Sequence, residues 1–192
     1  MRTLIVVGND KLGHLAIAQL QGCVHHDIVL DASSDWRRVA SLLLKRRLSL
    51  GVVAQMAMAD LMRQDAAITS MPIVNSNADL KRLIEQHHYQ RIVLFRAGLI
   101  INRGLIESAK DITNIHCARL PDYAGLGAIA RALKDGALEQ AATLHRVTHK
   151  IDGGEILDCE PYQLKPSKSY RHNEDLAYTA GIRLLKRTVL AS

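Results

Sequence analysis

Asn114 and His116 stand two positions apart in the stretch TNIHCARLPDY, and an Asp-Gly-Gly triplet follows at 152–154. Residues two apart on an extended chain point to the same face. A strand through 112–116 therefore projects the carboxamide and the imidazole together. The pair offers one titratable group and one fixed dipole, a set that can hold a developing oxyanion. Asp152 lies in a turn whose glycines let the backbone approach a ligand. A carboxylate beside His116 favours imidazolium and fixes the ring's orientation.

Elements that could carry these groups alternate along the chain. TLIVVG (3–8) is a short β-branched run closed by glycine and reads as a buried strand, with a helix in KLGHLAIAQLQ behind it. A strand-Gly-helix opening is how doubly wound sheets begin. DIVLD (27–31), MPIVN (71–75), RIVLF (91–95) and DITNIH (111–116) read as further strands. Helices are expected after Ser34 over DWRRVASLLLKRR, in GVVAQMAMADLMRQ, in NADLKRLIEQHH with Asn77 as its cap, in NRGLIESA and in GAIARALKDG. The pattern then changes: ATLHRVTHKI alternates, GEILDCEPYQL reads as a second strand, and DGG lies between them, as in an antiparallel hairpin. NEDLAYTAGIRLLKRTVL closes the chain as a long helix. The expected class is α/β: a Rossmann-like, mostly parallel sheet flanked by helices, with a C-terminal antiparallel hairpin and a closing helix. The edge at the strands' C-terminal ends, where Asn114 and His116 fall, is where open α/β sheets bind ligands.

The 192 residues suit one ordinary α/β domain, so 1–192 is read as a single catalytic domain. A formal charge of +6 would suit nucleic acid, but no basic run is interleaved with aromatics to stack bases, which makes nucleic acid an unlikely partner; small phosphorylated or carboxylated ligands fit the charge as well. Cys23, Cys117 and Cys159 show neither metal nor disulfide spacing, and no stretch approaches a membrane span, so a cytoplasmic protein without bound metal is expected. Cys117 adjoins His116, but strand neighbours face opposite ways, which argues against a thiol nucleophile. His145 and His149 would pair on a metal if helical; on a strand they lie about 13 Å apart, too far to share an ion. The oligomeric state is left open, a homo-oligomer included.

NIHCARLPDYAG, an alternating segment and then IDGGEIL together resemble the folate-dependent formyltransferase family. The matching positions are Asn114, His116, Leu120, Pro121, Tyr123 and Gly125, with Asp152, Gly153 and Gly154 downstream. Members of that family move a formyl group from 10-formyltetrahydrofolate to an amine; they include glycinamide ribonucleotide formyltransferase, the catalytic domain of methionyl-tRNA formyltransferase and sugar N-formyltransferases. The resemblance implies that Asn114 and His116 polarise the formyl carbonyl, while Asp152 keeps His116 charged and passes on the amine's proton. It further implies that Gly98, Leu99 and Ile100, with Ile101 beside them, bracket the pterin, that backbone around Val147, Thr148, His149 and Ile151 completes its hydrogen bonds, and that Tyr123 and His145 line the substrate pocket. Cys117-Ala118 stand where the family commonly has Pro-Ser, and Ala141-Ala142 where it usually has Gly-Val or Gly-Thr.

The segment Gly8, Asn9, Asp10, Lys11 falls where glycinamide ribonucleotide formyltransferases carry a longer phosphate loop. That loop is missing here, although a helix N-terminus with Lys11 nearby can still receive an anion. The chain ends at Ser192 after one helix, where methionyl-tRNA enzymes continue into a further domain. A small amine, favoured as an amino sugar or nucleotide-linked amino sugar, is therefore the expected acceptor. Glycinamide ribonucleotide is the alternative acceptor, and a degenerate folate- or partner-binding protein is the alternative of another class.

Overall fold

Every residue of β1 (Thr3–Gly8) is buried. Leu4 and Val6 enter one core cluster and Ile5 and Val7 the other, as expected of a strand covered on both faces. The computed structural model describes residues 2–20, 22, 26–33, 49–108 and 111–190. The helix expected over 35–47 and the residues Cys23 and His25 lie outside the described residues.

Beyond β1 the described chain runs α1 (Lys11–Leu20), β2 (Asp27–Asp31), α2 (Leu50–Leu61), β3 (Ile73–Val74), α3 (Asn77–His87), β4 (Arg91–Phe95), α4 (Arg103–Ser108), β5 (Asp111–His116), α5 (Ala128–Lys134), β6 (Glu139–Arg146), β7 (Ile156–Gln163) and α6 (Tyr170–Leu190). The strands form one sheet in the order β3-β2-β1-β4-β5-β6-β7. Pairing is parallel from β3 to β5 and antiparallel from β5 to β7. The architecture is thus Rossmann-like, with an antiparallel extension and a closing helix. Strand order reverses between β1 and β4, so the crevice above their C-terminal ends is the natural ligand position.

Two expectations are corrected in detail. Ser76, not Asn77, caps α3: its hydroxyl accepts from Asp79 N–H. Asn77 instead reaches across to the 100–102 loop, donating to the Ile100 carbonyl and accepting from Asn102 N–H. Secondly, β6 stops at Arg146, so His149 and Ile151 lie in the connection to β7 rather than on a strand. The ladder shifts register at Leu144/His145, and Gly154 passes directly under Arg146. A Cβ on Gly154 would sit 1.9 Å from the Arg146 carbonyl oxygen, an approach only glycine permits.

α6 packs over the sheet beside α1. Gly181 leaves a notch there: a Cβ at this position would lie 2.6 Å from Cys117 Sγ and 3.0 Å from Phe95. Cys117, at the end of β5, therefore points into the core while its neighbours at 114 and 116 face the other way. Among the described residues no helix is long and apolar enough to cross a membrane.

Candidate active site

Register places the polar pair. Asn114 is the Cα partner of Leu94 on β4 and of His145 on β6, and β5 ends at His116. The Asn114 amide Nδ2 meets His145 Nε2 at 3.1 Å. His145 Nδ1 donates to the Arg146 carbonyl at 2.9 Å, which fixes the ring with Nε2 turned toward Asn114 and Asp152. The imidazole of His145 is buried.

Asp152 joins them from the β6–β7 connection. It holds a left-handed backbone at φ 50°, a conformation tolerated by short polar side chains. Its Oδ2 lies 3.5 Å from His116 Nδ1 and accepts from Gly125 N–H at 2.8 Å; its Oδ1 lies 3.5 Å from His145 Nε2. Burial alone would raise its carboxyl pKa, but His145, His116 and the Gly125 amide together lower it to about 2.

His116 Nε2 donates to the Tyr123 carbonyl at 2.8 Å. Burial lowers the imidazole below its ordinary pKa, and it outweighs the opposing pull of Asp152. Desolvation thus opposes the charging of the ring that the Asp152 carboxylate favours. Tyr123 meets His116 through its backbone; its phenol points instead to Asp135, 3.4 Å away.

Asn114, His116, His145 and Asp152 line one wall of a cavity of about 350 Å³; Tyr123, expected to line the substrate pocket, does not line it. Gly98, Leu99, Ile100, Ile101, Val147, Thr148, His149 and Ile151 also line it. Leu99, Ile101 and Val147 belong to the core cluster on one face of the sheet, so this end is an apolar slot. The Leu99 N–H is already taken by Asp31 at 2.7 Å, which fixes the loop.

The residues after β1 are placed differently. Gly8 lets Arg96 come close, since a Cβ there would lie 2.3 Å from the Arg96 carbonyl oxygen. Asn9 bonds His14, and the Lys11 ammonium caps the end of α2 through the carbonyls of Leu61 and Arg63. None of these three lines the cavity; Asp10 does.

Sequence reasoning missed the far end of the cavity, formed by Asp10, Arg96, Tyr170, Glu174 and Tyr178. Arg96 Nε bonds Asp10 at 2.7 Å, and the guanidinium lies over the Tyr178 ring at 4.6 Å. Glu174 is bound by Arg63 at 2.7 Å and by the Tyr170 hydroxyl at 3.3 Å. The position of Arg96 just past a strand at the switch point was a usable signal; the α6 residues gave none. Burial pushes the Cys117 thiol up to about 12, so it is no nucleophile. Among the described residues no group of three or more His, Cys, Asp or Glu side chains is placed to hold a metal ion.

Known proteins share this frame. The chain is 26% identical over 129 residues to methionyl-tRNA formyltransferase of Orientia tsutsugamushi (strain Boryong), covering 65% of this chain and 42% of that protein. It is 30% identical over 129 residues to methionyl-tRNA formyltransferase of Coprothermobacter proteolyticus, again covering 65% of this chain and 42% of the relative. It thus spans less than half the length of these curated relatives. The crystal structure of phosphoribosylglycinamide formyltransferase from Anaplasma phagocytophilum superposes with a TM-score of 0.67 at 15% identity, covering 97% of this chain and 83% of that one, which shows the shared fold. The family model described as formyl transferase matches residues 44–186, a span holding Asn114, His116 and Asp152, and the chain belongs to that family.

Proposed function

We propose that this protein transfers a formyl group from 10-formyltetrahydrofolate to the primary amine of a small substrate. The observation that carries this reading is the convergence of Asn114, His116, His145 and Asp152 on one wall of a cavity that has an apolar slot at one end and a charged end at the other. The slot formed by Leu99, Ile101 and Val147 suits a flat, largely apolar ring such as a pterin. The residues at 98–100 and 147–151 hold the folate in this reading, and the amine enters beside His116.

The amine nitrogen attacks the formyl carbon, and the carbonyl oxygen gains the displaced electron pair. Asn114 Nδ2 donates its second hydrogen to that oxygen while staying bonded to His145, and His116 Nε2–H exchanges the Tyr123 carbonyl for it. As the amine bond forms, its proton passes toward Asp152, either directly or through water. The bond from formyl carbon to N10 of the folate then breaks, N10 takes a proton, and N-formyl product and tetrahydrofolate leave. No covalent bond to the protein is required.

An amino sugar, free or nucleotide-linked, and glycinamide ribonucleotide fit this chemistry equally well. The test is incubation with 10-formyltetrahydrofolate and a panel of amines, following release of tetrahydrofolate and the mass of the formylated amine. Tight folate binding with no turnover of any amine would overturn the reading in favour of a degenerate binding protein.

A further inference from the structure

The backbone of Arg96 is left-handed, with φ 56°. A bulky side chain rarely adopts this conformation. It has a visible result. Phe95 packs into the core cluster with α6, so strand alternation alone would carry the next side chain to the opposite face of the sheet. The turn at 96 returns the guanidinium to the α6 side, where it stacks on Tyr178.

Once there, Arg96 is held on two sides. Asp10 binds Nε, and the Tyr178 ring supports the flat face of the guanidinium. Among the described residues Nη1 and Nη2 make no hydrogen bond, and the side chain lines the cavity. Only 16% of the side chain remains exposed, so this is a largely desolvated cation that lines the ligand space and whose Nη edge makes no hydrogen bond among the described residues. Such an edge matches the two oxygens of an oxyacid anion.

Position separates this group from the apolar slot. Leu99, Ile101 and Val147 pack with the cluster on one face of the sheet, whereas Tyr178 packs with the cluster on the other. Arg96 directly follows the β4 residue paired with Ile115, while His116 directly follows Ile115 itself. Arg96 and His116 line the same cavity of about 350 Å³, so a single small molecule bound there can present an anion to one and an amine to the other.

We propose that Arg96 is a specificity residue that binds an anionic oxyacid group, carboxylate or phosphate, carried by the amine substrate itself. Asp10 and Tyr178 act as its positioning residues. This rests on the formyl-transfer reading for the identity of the reacting amine.

The test compares matched amines on the wild-type protein: glycine against glycinamide, phosphoethanolamine against ethanolamine, and glucosamine 6-phosphate against glucosamine. Turnover with 10-formyltetrahydrofolate and binding by calorimetry are both read. The expected result is that at least one anionic member is preferred over its neutral partner by roughly 10- to 100-fold, the size of a charge-assisted bond; which pair shows it tells carboxylate from phosphate. Arg96→Gln is expected to remove that preference by raising KM for the amine, with the KM for 10-formyltetrahydrofolate unchanged and Arg96→Lys retaining part of it. Equal binding of charged and neutral partners by the wild-type protein overturns the inference. So does a loss of folate binding in Arg96→Gln with amine preference intact, which would assign the cation to the folate's carboxylates. Anion-dependent amine binding without turnover would count against formyl transfer and still support the anion site.

Discussion

Asn114 and His145 face each other across the antiparallel β5–β6 ladder, partners at Cα and joined side chain to side chain at 3.1 Å. The amide is therefore oriented by a buried ring whose other nitrogen is anchored on the Arg146 carbonyl. If Asn114 acts on the formyl oxygen, His145 sets its aim. His145→Ala should lower kcat by roughly 10- to 100-fold with little change in the KM for folate, as expected when a reacting group is misplaced. Steady-state kinetics on a variant with unchanged circular dichroism checks this.

His116→Ala should reduce turnover by more than about 100-fold while leaving folate affinity nearly unchanged, because the donor is needed most as charge develops on the oxygen. Kinetics paired with fluorescence titration of folate decides it. Retained activity would sink the assigned role.

The His116 ring should titrate below the ordinary histidine value of 6.5, since burial disfavours its charged form. Asp152→Asn should lower the midpoint further by removing the carboxylate that opposes burial. Ring-proton NMR of the folate-free protein measures both. A depressed pKa in the folded state means that the unfolded chain binds the proton more readily, so this group costs stability as pH falls below 6.5.

Asp152 acts in a lower window. Its carboxyl is lowered from 3.8 to about 2 in the folded protein. The associated stability, about 2 kcal/mol, is present above 3.8 and lost as pH falls through about 2. Urea unfolding should show wild type and Asp152→Asn converging as the pH is lowered from 6 to 2.

Cys117 should resist thiol reagents. With Cys23 and Cys159 replaced by serine, the remaining thiol should react with an aromatic disulfide only at the rate of unfolding, because it is buried and its pKa is raised to about 12. Rapid labelling under native conditions would contradict that packing.

The sheet was readable because each strand is a short run of β-branched residues between turn signals, and the period of two alone puts Asn114 and His116 on one face. The loop at 147–155 was less so. Alternation in TLHRVTH continues past the point where Gly154 crosses beneath Arg146 and ends the strand, and close approach of this kind leaves no mark in hydropathy. The charged end of the cavity was missed for a different reason. Asp10, Arg96 and Glu174 come from a turn, a strand end and a helix, and no local spacing joins them. Lys11 shows the converse: its place at a helix N-terminus suggested an anion site, but the ammonium serves the carbonyls at the end of α2.

The notch at Gly181 gives the departure at Cys117 a mechanical meaning. The sulfur is a spacer between strand and helix, and the thickness of that spacer sets how far the end of β5 stands off α6. Because adjacent residues of one strand face opposite ways, the residue that fills the gap at 117 also bears on the strand end from which His116 faces the cavity. The two positions thus behave as a shim and its slot: a side chain added at 181 must displace the sulfur or the Phe95 ring, and both belong to residues at the strand ends that frame the site.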